Sequence, residues 1–443
     1  MMEARVHFGH DTRKWNPKDG DLPYQLGNLS QLTYLDLSGN SFCGALPYED
    51  GNLPLLHTLG LEDTDIQSLF HSYSNLPTSL IFLDLSVNML TSSTFQFLSN
   101  FSLNLQQLDL SRNNIVLSSP VYANFPSLNS LSSLVFLDLS LNLLKSSTIF
   151  YWLFNSTTNL RVYIGYNLLE GVIPDGFGKV MKSLEVLDLY DNKLQGEIPS
   201  FLGNICTLQR LGLSNNKLNG EISSFIQNSS WCNRHVFRSL FLSYNRITGM
   251  LPASIGLLSE LEYLSLEGNY LEGEVTESHL SNFSKLRSYS AYMYVYKLYT
   301  TLMWKGVERR FPDPELNLKS IHLSYNKLTG KIPKEIGDLL GLVSLNLSRN
   351  NLRGEIPSEF GNLSSLDSLG LSRNHFSGKI PSSLSQIDGI SKLDLSHNSL
   401  SGRIPSGSHF ETFEASSFEG NIDLCGEQLN KSCPGDGDGD EEQ

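Results

Sequence analysis

The chain has 443 residues, 40% of them hydrophobic and only 18% charged, with a formal net charge of −14. The apolar content suffices for a large core, and the acidity argues against a nucleic-acid partner or an anionic membrane surface, since no basic stripe is expected from such a balance to neutralise phosphates. Five cysteines are too few for a disulfide-stapled miniprotein and follow no zinc-ligand spacing.

The first segment, residues 1–20, reads MMEARVHFGHDTRKWNPKDG. It is polar and carries no apolar run of the kind that directs secretion, and it lies outside any repeat. Nowhere does the chain hold about 18 uninterrupted apolar residues, so no membrane-spanning helix is expected.

From residue 21 onward a single pattern, LxxLxLxxNxL, holds phase across the chain. Its Asn falls at Asn40, Asn88, Asn113, Asn142, Asn167, Asn192, Asn216, Asn245 and Asn269, with Thr64 filling one place, so that 21–280 holds about ten copies. The pattern resumes at Asn326, Asn350, Asn374 and Asn398, giving four more copies over 317–405. Spacings are 24 or 25 residues, apart from two of 29 and one of 57 between Asn269 and Asn326. A period of this length marks a solenoid.

Each LxL predicts a short strand whose alternate side chains point opposite ways: Leu187 and Leu189 inward, Asp188 and Tyr190 outward. One copy cannot hide its leucines, whereas a stack of copies makes a continuous core behind a parallel sheet. The recurring Asn turns the chain off the strand, and its amide suits pairing with nearby backbone groups. A buried ladder of mutually satisfied asparagines is therefore expected. The fold class is an α/β repeat, with the sheet on one face and short helices or turns on the other.

Past the Asn, the copies LLEGVIP, LQGEIP, LTGKIP, LRGEIP, FSGKIP and LSGRIP end at Pro174, Pro199, Pro333, Pro357, Pro381 and Pro405. In this the chain resembles the plant extracellular leucine-rich repeat proteins, and in particular the receptor-like proteins that include disease-resistance and xylanase receptors. The resemblance implies a curved superhelix with the parallel sheet on its concave face and a second short sheet built by the Gly-Ile-Pro segments. Copies at Asn88, Asn113 and Asn142 lack that segment, so the second sheet should be interrupted there.

The 57-residue spacing holds an insertion over 281–316 rich in aromatic residues, including Tyr292, Tyr294, Tyr296 and Trp304, with Lys305 in a WKG segment. As residues alone, this is an irregular packed loop. The resemblance implies instead the island that interrupts receptor-like proteins four repeats before their end. It also implies a C-terminal cap over 406–434 closed by a Cys425–Cys433 disulfide. The last stretch, 435–443, is an acidic tail whose alternate aspartates lack the turn Gly and terminal Glu of a calcium loop. Cys206 and Cys232 sit at nearly equivalent offsets in successive copies. They either bridge across the stack or are buried as small apolar side chains, and Cys43 is left over.

Sequons start at Asn28, Asn100, Asn155, Asn228, Asn282, Asn346, Asn362 and Asn430. They fit a secreted glycoprotein, and equally the chance yield of an Asn- and Ser-rich array. Asn346 falls within a strand, where a glycan would obstruct the face.

No catalytic constellation is present: the histidines lack HExxH spacing, and there is no phosphate loop, nucleophile elbow or kinase signature. No cofactor or metal is implied, and the chain reads as a recognition protein rather than an enzyme. The recurring outward pair is Asp then Ser, at Asp36, Asp84, Asp109, Asp138 and Asp394. Departures at Tyr163, Tyr166, Tyr190, Arg210, Phe241, Tyr244 and Tyr263 are either anchors of a binding face or the ordinary variation of a tandem array. By resemblance, the intact receptor stands on the outer side of the plasma membrane and senses a peptide, protein or glycan in defence or development. It signals through co-receptor and adaptor receptor kinases, joined to the membrane by a helix this chain does not contain. The absent signal run, cysteine cap and membrane helix read as a fragment or deleted version of such a gene. Two alternatives share the repeat: a secreted inhibitor of a microbial cell-wall enzyme, of the polygalacturonase-inhibitor type, and a truncated decoy or non-functional receptor.

Overall fold

A computed structural model describes residues 4–7, 30–40, 53–66, 76–99, 104–116, 133–145, 149–152, 160–177, 181–226, 232–280, 299–304, 307–312, 319–407 and 410–434. The chain divides into two compact units, Met1–Gly220 with Gln227–Val236, and Glu221–Ile226 with Phe237–Gln443.

In the first unit the LxL segments form parallel strands in chain order: Leu32–Asp36, Thr58–Gly60, Phe82–Asp84, Gln107–Asp109, Phe136–Asp138, Leu160–Tyr163, Leu184–Asp188 and Arg210–Gly212. The register aligns like positions, so Leu35, Leu59, Leu83, Leu108, Leu137, Val162, Leu187 and Leu211 form one buried row. The N-terminal segment, read as lying outside the repeats, contributes the strand Ala4–His7. It pairs in parallel with Leu32–Asp36 at the edge of the sheet.

The second unit repeats the arrangement with Ser239–Phe241, Tyr263–Ser265, Lys319–His322, Leu342–Asn346, Ser368–Gly370 and Lys392–Asp394. The 57-residue spacing does not break the stack. Tyr263–Ser265 pairs directly with Lys319–His322, and Asn326 Nδ2 donates to the Leu266 carbonyl at 3.0 Å. Of the excursion between them, the described residues form an antiparallel hairpin, Tyr299–Trp304 with Val307–Pro312.

On the return side, Pro199, Pro252, Pro333, Pro357 and Pro381 each open a 3-10 turn: Ser200–Asn204, Ala253–Leu257, Lys334–Asp338, Ser358–Asn362 and Ser382–Gln386. Proline fixes the φ these turns need at their start and has no N–H to leave unpaired. Among the described residues the second sheet begins at Glu170–Gly171, which joins Lys193–Glu197 and Lys217–Asn219. It is therefore missing around Asn88, Asn113 and Asn142, as the absent Gly-Ile-Pro segments require. In the second unit, Glu272–Glu274 pairs with Lys327–Thr329, and Arg353–Gly354, His375–Gly378, Ser399–Arg403 and Asp423–Cys425 form a further sheet.

The Asn ladder is buried but built differently from the expectation. The asparagines do not satisfy one another; each ties its own turn to the backbone of the turn before. Asn350 Nδ2 donates to the carbonyls of Leu323 (3.0 Å), Leu347 (3.0 Å) and Ser348 (3.3 Å), while its Oδ1 accepts the Leu328 N–H at 3.0 Å. Asn113, Asn142, Asn167, Asn192, Asn269, Asn326, Asn374 and Asn398 repeat this scheme. Asn216 repeats it too, with Nδ2 reaching the Leu189 carbonyl and Oδ1 accepting from Leu194, and Asn40 and Asn245 bond their own turns in the same way. Thr64 is the exception in kind, since its hydroxyl meets Asn88 Oδ1 at 3.2 Å. Asn421, which the sequence reading assigned to the cap, takes a further rung: Nδ2 reaches the Leu395 carbonyl and Oδ1 accepts from Leu400.

Both cysteine pairs are disulfides, Cys206–Cys232 with Cα atoms 4.9 Å apart and Cys425–Cys433 at 5.1 Å. The bridge reading therefore replaces the buried-thiol alternative for Cys206 and Cys232. Cys43 and Trp15 lie outside the described residues.

Two stability measurements check this account. Asn350→Ala strands the Leu323 carbonyl and the Leu328 N–H in the interior, and the expected loss is about 3 kcal/mol, at one to a few kcal/mol per unsatisfied group. It should be seen as a lower denaturant midpoint, and an unchanged midpoint would refute the ladder's role. Breaking Cys206–Cys232, which closes a 26-residue separation, by a double Cys→Ser change should cost about 3 kcal/mol. Mass spectrometry of the unreduced protein checks the pairing.

Candidate functional site

The solvent face of each strand is set by a short motif. In the common Asp-Leu-Ser form, the Asp Oδ1 accepts the backbone N–H two residues on, as Asp84 does from Ser86 (2.9 Å), Asp109 from Ser111 (2.9 Å) and Asp138 from Ser140 (2.8 Å). This side-chain turn steers the chain off the strand toward the ladder Asn. The register places Asp84, Asp109 and Asp138 side by side. Burial, then the charges of Asp138 and Asp84, hold the Asp109 carboxyl well above its usual range.

Where the motif departs from this form, side chains gather. In the first unit Tyr163 replaces the Asp and packs on Phe136 with ring centroids 5.4 Å apart. Burial raises its phenol pKa, opposed by the positive charges of Arg210 and Arg161. Arg161 itself pairs with Glu185 at 3.1 Å. One row further along, Tyr190 replaces the Ser, donates its N–H to Asp188 Oδ1 and stacks with Tyr166 at 5.1 Å. Burial and the neighbouring Tyr166 raise the Tyr190 phenol, so its hydroxyl stays protonated as a hydrogen-bond donor. Tyr166 occupies the position before the ladder Asn, where the backbone is left-handed (φ 54°), and this conformation points its half-exposed ring at solvent. Arg210 completes this group at an exposed position. Four candidates thus form one aromatic and cationic cluster.

In the second unit Phe241 and Tyr263 stack on adjacent strands at 5.9 Å, above the Arg238–Glu262 pair. Tyr244, also left-handed (φ 54°), donates its hydroxyl to Glu267 at 2.8 Å. Its ring covers Gly268, where a Cβ would come within 2.7 Å.

A groove of about 480 Å³ lies further along this second unit, lined by strand residues His322, Asn346, Gly370 and Asp394 and closed by Phe413 and Glu414. Gly370 opens it, because a Cβ there would lie 2.8 Å from Asn346 Oδ1. His322 bonds Ser344 Oγ at 3.1 Å, and burial lowers its pKa. Its signal in the sequence, outside the departures singled out above, is that His322, Asn346 and Gly370 stand where six of the fourteen copies have Asp. The sequon at Asn346 sits inside it, with Oδ1 accepting the Ser348 N–H at 3.1 Å. Asn362 and Asn430 are exposed on turns. Asn28, Asn100, Asn155, Asn228 and Asn282, and the island residues Tyr292, Tyr294, Tyr296 and Lys305, lie outside the described residues. Trp304 is described only as the end of a strand. Among the described residues no cluster of side chains could hold a metal ion, and no helix is long and apolar enough to cross a membrane.

The buried His322 gives a pH prediction. A folded-state pKa below the ordinary histidine value of 6.5 means the unfolded chain binds the proton more readily, so stability falls as pH drops through that value. His322→Asn should flatten this limb of the stability curve, read from denaturant midpoints between neutral pH and mildly acidic pH. An unchanged slope would show that the imidazole stays solvated.

The leucine-rich repeat family model matches residues 31–53, 104–128, 183–205, 207–229, 237–258, 317–339, 341–363, 365–387 and 389–409. Among curated proteins, the chain is 37% identical to Receptor-like protein EIX2 of Solanum lycopersicum over 468 aligned positions, covering 92% of this chain and 45% of the relative. It is 35% identical to Receptor-like protein EIX1 of the same plant over 179 residues, 40% of this chain and 17% of that one. The chain therefore spans less than half the length of these relatives. Among solved structures it is similar to a TDR receptor, with a TM-score of 0.62 at 25% identity, over 87% of this chain and 63% of that one. It is also similar to the leucine-rich repeat ectodomain of the Arabidopsis receptor kinase HAESA in complex with an IDA peptide hormone ligand. There the TM-score is 0.58 at 28% identity, over 94% of this chain and 70% of that one. With its strands, its Asn ladder and these relatives in agreement, the chain is a leucine-rich repeat protein, and the proteins it resembles are plant receptor-like proteins.

Proposed function

We propose that this chain is the ligand-recognising part of a receptor-like protein and binds an extracellular peptide or protein across the solvent face of its sheet, without catalysis. The observation that carries the reading is the cluster of Tyr163, Tyr166, Tyr190 and Arg210, four residues that depart from the repeat motif and meet on one surface. Tyr and Arg are the residues that most often anchor interfaces, because each offers a large contact area and a directional polar tip. The peptide hormone held by the HAESA ectodomain supports a peptide as the ligand class. Both disulfides fit an oxidising, extracellular setting.

In this reading the island and the repeats from Asn326 to Asn398 meet a co-receptor. Signalling in defence or development then passes to partner kinases at the plasma membrane, and the seven departures and the eight sequons are its ligand contacts and glycan sites. A glycan on Asn346 would fill the groove beside His322, so that groove takes a ligand only where Asn346 is unmodified.

The test uses the full chain, secreted and immobilised, against a displayed library of short random peptides. Selected binders should lose affinity about thirtyfold with Tyr190→Ala or Arg210→Ala, the size of an interface hot spot of about 2 kcal/mol. They should be indifferent to Ser383→Ala on the return side. Binders that ignore both cluster substitutions would move the site elsewhere.

A further inference from the structure

The chain is acidic overall, yet one flank of its second unit is basic. In each repeat the residue before the ladder Asn and the first, third and fifth residues after it face outward between the two sheets. Across the last four copies these sixteen positions are Tyr325, Lys327, Thr329, Lys331; Arg349, Asn351, Arg353, Glu355; Arg373, His375, Ser377, Lys379; and His397, Ser399, Ser401, Arg403. Seven are Lys or Arg and one is acidic, all eight of them exposed. The copy before them has the opposite character, with Glu272 and Glu274 and no cation at the same four positions. Among the described residues Lys331, Arg353, Arg373 and Lys379 make no ion pair with a neighbour.

The backbone arranges these cations in rows. The backbone N–H groups of Tyr325, Arg349 and Arg373 donate to the carbonyls of Ser348, Ser372 and Ser396, so the residue before each ladder Asn stands about 4.8 Å, one strand spacing, from its counterpart in the next copy. Glycines let the stems lie flat on the next copy. Lys331 covers Gly354 and Lys379 covers Gly402, where a Cβ would come within 2.9 Å and 3.3 Å of their stems. At the near edge Tyr270 and Tyr325, each about half exposed, pair with Lys327 (5.5 Å) and Arg349 (4.5 Å) through their ring faces. Arg349 and Arg373 are successive members of this row, and an anion bound along it lowers the repulsion between like charges so placed.

We propose that this flank binds a linear acidic polysaccharide, one carboxylate-bearing sugar meeting each step of the repeat. A polymer with one charge per monomer shares the one-dimensional periodicity of the rows, and the tyrosines offer apolar faces on which sugar rings pack. A nucleic acid is the competing linear polyanion, and the experiment below separates the two. This surface is separate from the sheet face assigned to the peptide ligand, so either assignment can fail without the other.

The experiment measures binding of the full chain to polygalacturonate by interferometry, with fully methyl-esterified galacturonan, poly-glutamate and single-stranded DNA alongside. The free-acid polymer should bind at low salt and weaken at least tenfold between 50 and 200 mM salt, as the screening length falls by about half and condensed counterions are no longer released. The Arg349→Glu/Arg373→Glu variant should lose at least tenfold, while Lys217→Glu, an exposed position in the first unit, should not. Both variants change exposed side chains, and an unchanged thermal midpoint shows that folding is intact. Binding that survives esterification, survives the double substitution, or is matched by poly-glutamate or DNA would overturn the assignment.

Discussion

The structure depends on the carboxamide of one recurring asparagine. A repeat this short cannot close its own backbone hydrogen bonds: the chain leaves the strand by a tight turn and leaves carbonyls and an N–H pointing inward. The Asn side chain is the smallest group with both donors and an acceptor, and it spends them on two successive turns at once. Stacking is thereby enforced by polar satisfaction as well as by the burial of leucines, since a turn without its predecessor would leave those groups exposed to an apolar interior. The same logic carries past the last strand motif, where Asn421 closes the final rung.

The ladder also decides which positions are available for recognition. The residue before the ladder position is held at φ between 52° and 58° in twelve of the fourteen copies, each time by a non-glycine residue. That conformation is costly for an L-residue, and it swings the side chain away from the core whatever its chemistry. Tyr166, Tyr244, Tyr325, Arg349 and Arg373 are exposed for this reason. The solvent face of the strands and the flank between the sheets are consequently two separate surfaces that the same turn creates. On the first, aromatic residues and Arg210 gather in one unit and a small open groove in the other; on the second, cations accumulate over four copies.

The groove and the cluster are made by opposite departures from one motif. Putting Tyr163 at the Asp position removes the side-chain turn and adds a ring that packs on Phe136. Putting Gly370 at the same position adds nothing and leaves a space bounded by Asn346 and Asp394. A tandem array can vary both ways, because the core behind the sheet does not sense what stands on its outer face.

By itself the sequence determined the repeat, the parallel sheet, the buried leucine rows, the ladder positions and the loss of the second sheet around Asn88, Asn113 and Asn142. All of these are local, recurring with a period that any single copy reveals. Tertiary structure alone decided three things. Cys206 and Cys232 could be bridged or merely buried until the stack brought their Cα atoms to 4.9 Å. The 57-residue spacing could have broken the solenoid until Tyr263–Ser265 was seen to pair with Lys319–His322. And the grouping of Tyr163, Tyr166, Tyr190 and Arg210, or of the flanking cations, depends on neighbours some 24 residues away along the chain but one strand away in space. Spacing within a copy is written in the sequence, whereas adjacency between copies exists only once the stack has formed.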